Sequence, residues 1–151
     1  MSSPPKYSVI IPVYNRPHEL DELLQSLVTQ TFQQFDVIIV EDGSSLTSES
    51  VYEKYATLLN IHYFFKPNSG PGPSRNYGFE KARGAYLVVF DSDCILPPTY
   101  FESVAKSLAV NGFDAWGGPD RGHGKFTALQ QAMAHTMSSV LTTGGDRKSV
   151  V

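Results

Sequence analysis

The stretch Tyr86-Leu-Val-Val-Phe90, followed at once by Asp91-Ser92-Asp93, decides the fold that the sequence predicts. Five apolar, mostly β-prone residues in a row predict a strand buried on both faces of a parallel sheet. In an extended chain residues i and i+2 point to the same side, so Asp91 and Asp93 are expected to converge at the end of this strand. Open α/β sheets bind ligands at the carboxyl ends of their strands. Two carboxylates there suit Mg²⁺ or Mn²⁺, and through the metal a phosphate.

Composition restricts the class of protein. The chain has 151 residues, of which 41% are hydrophobic and 18% charged, which fits one domain with a real core and excludes a disordered chain. The formal net charge of −3 argues against nucleic acid as a partner, because a sequence-independent binder presents a basic face. A nucleotide remains open as a ligand, since a metal can supply positive charge. The single cysteine, Cys94, excludes an intramolecular disulfide and a cysteine zinc cluster.

The sequence shows neither a membrane-spanning segment nor a signal peptide. No apolar run approaches the ~20 residues that a membrane-spanning helix needs. The first six residues lack the apolar core of a signal peptide. These features predict a cytoplasmic location. Any peripheral attachment to the inner face of a membrane is expected to depend on residues outside this sequence.

Strand and helix patterns alternate along the chain. Strands are predicted at residues 7–13, 35–40, 61–65, 86–90 and 113–116. Apolar residues at helical spacing follow the first strand, and a capping-box pattern, Thr99-x-x-Glu102, opens a later helix. A last helix is predicted from Leu129 to Val140. Such alternation predicts a Rossmann-like α/β fold, with a mostly parallel sheet and helices on both of its faces.

Two further loops carry candidate ligand-binding residues. Glu41 and Asp42 follow the second strand, where an acidic residue in a dinucleotide-binding fold holds a ribose hydroxyl. An Asx turn at Asp42-Gly43 is the structural alternative. The segment from Gly70 to Arg75 opens a helix, and Arg75 there suits a diphosphate as well as it suits a solvated surface position.

Four blocks of sequence, in this order, resemble the family-2 glycosyltransferases of GT-A fold. The blocks are Tyr7-Ser-Val-Ile-Ile-Pro-Val-Tyr-Asn15, Val37-Ile-Ile-Val-Glu-Asp-Gly-Ser-Ser45, Gly72-Pro-Ser-Arg-Asn-Tyr-Gly78 and Gly84-Ala-Tyr-Leu-Val-Val-Phe-Asp-Ser-Asp93. The resemblance covers residues 7–110 and implies a metal-assisted transferase that takes a sugar from a nucleotide diphosphate with inversion. UDP is the commonest donor nucleotide of the family. This chain departs in having Glu41 where many members have Asp, and Arg16-Pro17 in place of a more usual acidic pair.

The resemblance implies a role for each matched residue. Pro12 and Tyr14 are expected to line the nucleoside pocket, with Tyr14 near the base, and Asp42 to contact the base or ribose. Arg75 is expected to approach the nucleotide. The remaining residues are assigned to the donor sugar and to a Mn²⁺ or Mg²⁺ ion on the diphosphate: Asp91 and Ser92 on the donor side, Asp91 in the metal shell, and Asp93 as principal metal ligand.

The resemblance also implies an organisation of the chain. Residues 1–6 are expected to be a disordered N-terminus, residues 7–117 a nucleotide-sugar-binding domain, and residues 118–151 the truncated start of an acceptor-side region. The acceptor is expected to be a carbohydrate or a lipid-linked molecule, as in synthesis of cell-envelope polysaccharide. The family's catalytic base lies downstream of Asp93, and Asp120 is only a weak candidate for it.

Two rival classes remain open at this point. A non-catalytic module that binds nucleotides or partners fits a fragment that lacks the base. A sugar-phosphate nucleotidyltransferase shares the nucleotide and the metal, but a glycine-rich signature is expected after its first strand. Here the first strand runs into Pro12-Val-Tyr-Asn15 instead.

Overall fold

The structure, a computed structural model, describes residues 4–117. The chain divides into two compact units, Met1–Glu102 and Ser103–Val151. The described elements alternate as predicted: β1 (Tyr7–Val13), α1 (Pro17–Val28), β2 (Phe35–Asp42), α2 (Glu49–Tyr55), β3 (Ile61–Lys66), α3 (Pro71–Lys81), β4 (Tyr86–Val89) and α4 (Tyr100–Asn111).

The four strands form one parallel sheet in the order β3-β2-β1-β4. This confirms the prediction of a parallel α/β sheet. Strand β1 lies between β2 and β4, with Tyr7 opposite both Phe35 and Tyr86. Strands β1 and β2 are almost wholly buried, as expected from the apolar residues that dominate them, and Ser8, Asp36, Glu41 and Asp42 are buried with them.

Strand β4 corrects the expectation of a strand buried on both faces. Among residues 4–117 it lies at the edge of the sheet, and Leu87 and Val89 are 48% and 36% exposed. Val88, on the opposite face, is 5% exposed. A short apolar run has the same sequence pattern whether one or both of its faces are covered, so the pattern did not reveal the edge position.

Two other boundaries differ from the sequence prediction. Strand β2 continues through Glu41 and Asp42, which were expected to begin a turn, because both residues pair with β3. The predicted strand at residues 113–116 is wrong: α4 ends at Asn111, Gly112 follows with a φ of +62°, and no strand forms there. The left-handed φ of Gly112 turns the chain out of the helix. The helix predicted from Leu129 to Val140 lies outside the described residues.

Helix α3 packs closely on the sheet because Gly78 faces Ile10 of β1. A Cβ atom at position 78 would lie 2.4 Å from Cγ2 of Ile10, so no other residue fits without displacing the helix. This close approach fixes the start of α3 beside the carboxyl ends of β1 and β2. Within residues 4–117, no helix combines the length and the apolar character needed to cross a membrane.

Candidate functional site

A cavity of about 370 Å³ lies at the carboxyl ends of the strands. Its wall is formed by the ends of β1 and β2, the turn after β4 and the start of α3. The chain moves outward from β1 to β2 and β3 and then returns to place β4 on the other side of β1. Ligands of open α/β sheets bind at such a switch point. The lining residues are Pro12, Val13, Tyr14, Arg16, Asp42, Asn68, Gly70, Pro71, Ser74, Asp91, Ser92 and Asp93.

The cavity brings together residues that the sequence analysis selected from distant positions. Pro12, Tyr14, Asp42, Asp91, Ser92 and Asp93 all line it. Arg75 reaches the same region through an ion pair with Asp91, with 2.9 Å between Nη2 and Oδ1. Asp120 lies outside the described residues. Arg16, Asn68 and Ser74 were not selected; the departure at Arg16 was noticed, but no role was derived from it.

Asp91 and Asp93 reach the cavity in a different way from the one expected. Strand β4 ends at Val89, and the amide of Cys94 donates a hydrogen bond to the carbonyl of Asp91 at 3.1 Å. The expected extended conformation is therefore wrong, because a tight turn follows the strand. The turn nevertheless places both carboxylates on the cavity, with 64% and 63% of their side chains exposed.

Each of these two carboxylates faces one arginine. Besides the pair between Arg75 and Asp91, Nη1 of Arg16 lies 3.9 Å from Oδ2 of Asp93. The Nε atom of Arg75 is buried and has no hydrogen-bond partner among the described residues. A buried donor without a partner is costly, and because this atom is not solvent-exposed, a ligand reaches it only if the Arg75 side chain shifts.

Asp42 has a very different environment. It is 4% exposed, and its carboxylate accepts hydrogen bonds from Nζ of Lys66, from the amide of Ser69 at 2.9 Å and from the amide of Gly70 at 2.8 Å. Burial raises the pKa of Asp42, but the hydrogen bonds from Lys66 and the two amides outweigh it, so the net pKa lies below its ordinary value. Asp42 is thus a fixed anion that shapes the loop before α3.

Gly43 allows that loop to approach the end of β2. Its φ is +69°, and a Cβ atom there would lie 2.5 Å from the backbone nitrogen of Asn68. The side chain of Asn68 in turn donates to the carbonyl of Asp42 at 2.9 Å. The hydrogen bonds of the Asp42 carboxylate run to this loop and not to the turn at Gly43, which was the alternative considered from the sequence.

Glu41 ties the β2–α2 loop to the core beside the cavity. It is fully buried, and its carboxylate accepts hydrogen bonds from the Ser44 hydroxyl, from the amide of Ser48 at 2.8 Å and from the hydroxyl of Tyr63 at 3.1 Å. Burial, reinforced by the charge of Glu41, raises the pKa of Tyr63, so its hydroxyl remains a donor. A carboxylate ending an apolar strand was the sequence signal for this network.

The network continues to the turn that carries Tyr14. Oγ of Ser44 accepts a hydrogen bond from the amide of Asn15 at 2.8 Å. Oδ1 of Asn15 accepts from the amide of Leu46 at 2.9 Å. Asn15 has a φ of +54°, which asparagine tolerates better than most residues. The end of β1 is therefore fixed to the β2–α2 loop, while the ring of Tyr14 stays 52% exposed.

The residues on the cavity fit a Mg²⁺ or Mn²⁺ ion that is shared with a phosphate. Among residues 4–117 there is no cluster of three or more His, Cys, Asp or Glu side chains that would enclose a metal by themselves. Mg²⁺ is typically bound by one or two carboxylates together with substrate phosphates and water. Asp91 and Asp93 supply that number of exposed, hard oxygen ligands.

Comparison with known proteins identifies the family. The sequence profile described as "Glycosyl transferase family 2" matches residues 8–148, which is most of the chain. The chain belongs to glycosyl transferase family 2. The resemblance noted in the four sequence blocks is thereby confirmed.

Curated relatives of this family-2 chain are substantially longer. An uncharacterised glycosyltransferase of Rickettsia bellii is 36% identical over 108 residues, which cover 72% of this chain and 16% of the relative. The uncharacterised glycosyltransferase YibD of Escherichia coli is 35% identical over 115 residues, covering 76% and 33%. The minor teichoic acid biosynthesis protein GgaB of Bacillus subtilis is 37% identical over 112 residues, covering 72% and 12%. The chain thus spans between about an eighth and a third of these three relatives.

Solved structures confirm the GT-A type of the fold. Residues 1–349 of TarS from S. aureus, in complex with UDP-GlcNAc, match with a TM-score of 0.74 and 31% identity, covering 81% of this chain and 36% of that one. The mannosyltransferase PcManGT of Pyrobaculum calidifontis, in complex with GDP-Man and Mn²⁺, matches with a TM-score of 0.64, covering 80% and 37%. At 19% identity the second match bears on the fold alone.

Proposed function

We propose that this family-2 chain binds the donor of a metal-assisted glycosyltransferase that moves a sugar from a UDP-sugar to an acceptor hydroxyl with inversion. In this proposal residues 7–117 bind the nucleotide sugar and residues 118–151 begin the acceptor side. The acceptor is a carbohydrate or a lipid-linked molecule. UDP-GlcNAc is the first donor to test, because TarS, the match at 31% identity, was crystallised with it.

One observation carries the proposal. An aromatic ring, two exposed carboxylates and a fixed anion meet in one cavity at the switch point of the sheet, although they come from three separate parts of the sequence. Tyr14 provides a flat, half-exposed surface for a base. Asp91 and Asp93 provide the oxygen ligands for a cation that a diphosphate requires.

The nucleoside is assigned to the side of the cavity formed by β1 and β2. Pro12 lies near the end of β1 and Tyr14 directly follows it, and Asp42 ends the neighbouring strand β2. Because the carboxylate of Asp42 already accepts three hydrogen bonds, its position is fixed, and it adds a negative charge to the cavity lining. Arg75, on α3, and Ser92, in the turn after β4, are assigned to the donor side.

The chemistry follows from the charge that develops as the nucleoside diphosphate leaves. A Mg²⁺ or Mn²⁺ ion, when bound, acts as a Lewis acid for the negative charge on the leaving oxygens. Asp93 and Asp91 hold the ion, and both face the cavity with most of their carboxylate surface open. Arg75 adds a fixed positive charge beside Asp91 and stabilises the same developing anion.

Inversion requires a base on the opposite face of the sugar to deprotonate the acceptor. We assign no residue within 4–117 to that step, and Asp120 remains a weak candidate. The proposal therefore predicts that the 151-residue chain binds a UDP-sugar together with Mn²⁺ but transfers sugar weakly or not at all. Robust transfer by this chain would contradict the donor-only part of the proposal.

Isothermal titration calorimetry tests the proposal most directly. The chain is titrated with UDP-GlcNAc, UDP, GDP and dTDP, each with Mn²⁺ and with EDTA. We expect UDP and UDP-GlcNAc to bind more tightly than the other two nucleotides and to lose affinity when Mn²⁺ is removed. Absent or metal-independent binding would instead favour a non-catalytic interaction module. A requirement for UTP in place of UDP would favour a nucleotidyltransferase.

A further inference from the structure

Arg16 lies on the cavity but breaks the local rules of helix formation. It is the N-cap residue of α1 and makes no side-chain capping hydrogen bond. Ser, Thr, Asp and Asn are preferred there because they accept hydrogen bonds from the free amides of the first turn. A positive charge at a helix N-terminus is also opposed by the helix dipole. The helix itself thus gives no reason for an arginine at this position.

The position of the Arg16 guanidinium relative to two carboxylates gives such a reason. Its Nη1 atom lies 3.9 Å from Oδ2 of Asp93 and 3.6 Å from Oε1 of Glu19. The side chain is 53% exposed, so it is tethered by these charges and not packed in place. A guanidinium that lines the cavity and faces the proposed metal ligand is within reach of any group bound at Asp93.

Positive charges compete at Asp93. A divalent cation and Arg16 are both attracted to the same carboxylate, so one weakens the hold of the other. Once a cation occupies Asp93, Arg16 loses its partner and is left beside the anion that the cation attracts. Arginine is well suited to that second role because its planar fork binds two phosphate oxygens at once.

We propose that Arg16 is a phosphate-binding residue of the donor site, which pairs with Asp93 in the metal-free protein and moves to the diphosphate when metal takes Asp93. The inference rests on the proposed function and adds a residue to it. In the metal-free protein Arg16 and Arg75 place one guanidinium beside each of the two carboxylates, and in the proposed complex both are close to the bound diphosphate. The leaving diphosphate is neutralised from two sides in addition to the metal.

The test uses two titrations whose expected changes have opposite signs. For Arg16→Ala, the affinity for Mn²⁺ alone is expected to rise about two- to fivefold, because a competing charge is gone. The affinity for UDP at saturating Mn²⁺ is expected to fall by a similar factor, because a phosphate contact is gone. A residue with a merely structural role would change neither affinity, or would lower both.

Two further variants refine the result. Arg16→Lys keeps the charge but loses the fork, so its Mn²⁺ affinity is expected to match the wild type while its UDP affinity falls. Arg16→Ser supplies a favoured N-cap residue, so its melting temperature is expected to equal or exceed that of the wild type while UDP binding weakens. Better folding with poorer binding separates function from structure.

Arg83→Ala is the matched control, since it also removes one exposed positive charge. The Arg83 amide binds Ser8 near the start of β1, whereas Arg16 follows the end of that strand. This separation of roughly 17 Å exceeds the screening length at physiological salt. If Arg83→Ala reproduced both changes, the inference about Arg16 would be overturned. It would also be overturned if Arg16→Ala produced neither change while the wild type bound UDP and Mn²⁺. In both cases the proposed function would stand. A wild-type chain that bound neither ligand would overturn the proposed function and the inference together.

Discussion

The cavity holds aspartates of opposite character at its two sides. Asp42, at the end of β2, is 4% exposed and accepts hydrogen bonds from a lysine and two backbone amides. Asp91 and Asp93, after β4, are 64% and 63% exposed and each faces one arginine. The same residue type, aspartate, is thus fixed by hydrogen bonds on one side of the cavity and exposed to solvent on the other.

The difference follows from where the two strands lie. Strand β2 has neighbours on both sides and is buried along its whole length, so a charge at its end must be satisfied by the protein. Within the part of the chain that the structure describes, β4 is an edge strand, and the turn after it reaches solvent. The architectural carboxylate thus lies on the buried side of the cavity, and the two proposed ligand-binding carboxylates lie on the open side.

Removing the fixed carboxylate is expected to have the largest effect. Asp42→Ala leaves Lys66 without its buried partner and the amides of Ser69 and Gly70 without an acceptor, so the free energy of unfolding is expected to fall by about 3–5 kcal/mol. Asp91→Ala removes an exposed pair and is expected to cost at most about 1 kcal/mol. Urea denaturation measures both. Equal losses would abolish the distinction between the two sides.

Removing the proposed metal ligand is expected to have the next largest effect, on binding rather than on stability. Asp93→Asn keeps the size of the side chain but loses its charge. Mutating a residue that only hydrogen-bonds to a metal ligand typically lowers metal affinity about 10- to 100-fold, so the Mn²⁺-dependent affinity for UDP is expected to fall by at least that factor. Calorimetry and a melting curve measure the two quantities. Glu80→Gln, an exposed change near the end of α3, is the control and is expected to alter neither. A lower melting temperature for Asp93→Asn would point to an architectural role after all.

Substitution of Tyr14 tests the side of the cavity that is proposed to bind the base without the help of the metal. Its ring is 52% exposed, so Tyr14→Ala is expected to leave stability unchanged while weakening UDP binding by about 1–2 kcal/mol through lost stacking on the base. The loss is expected to be equal with Mn²⁺ and with EDTA. Tyr14→Phe retains the ring and is expected to bind like the wild type. A loss seen only with Mn²⁺ would place Tyr14 near the diphosphate instead.

Acid unfolding gives the smallest and most specific effect. Because the folded-state pKa of Asp42 lies below its ordinary value of 3.8, its contribution to stability is complete above about pH 4 and is lost as the pH falls through the folded-state value. The stability difference between the wild type and Asp42→Asn is therefore expected to shrink as the pH falls below 4. Urea denaturation at several pH values measures it. A difference that stayed constant with pH would show that the charge of Asp42 is not what stabilises the loop.

Sequence reasoning succeeded where local patterns carry the information. The bounds of β1 were predicted without error, because Tyr7–Val13 is mostly apolar and is followed by Tyr14 and Asn15. The placement of Asp42, Asp91 and Asp93 at one end of a sheet followed from strands that run into acidic residues. Parallel strands bring their carboxyl ends to a common edge whatever their order, so no knowledge of the order was needed.

Reasoning from the sequence failed where the answer depends on neighbours that are distant in the chain. The pattern of residues 86–90 did not disclose that Leu87 and Val89 lie uncovered at the sheet edge. Arg16 was noticed only as a departure, because its pairing with Asp93 joins residues 77 positions apart. An extended arrangement of Asp91 and Asp93 was expected, whereas a tight turn follows β4.

By itself, the sequence determined the alternating α/β order, the parallel sheet and the family, because apolar runs and short motifs are formed by residues that are neighbours in the chain. Only the tertiary structure decided which carboxylates are fixed and which are free. That distinction depends on burial and on hydrogen bonds from Lys66, Ser69 and Gly70, all of which lie more than twenty residues from Asp42. Whether a carboxylate is fixed or exposed depends on its solvent exposure and its hydrogen-bond partners, and the fold determines both.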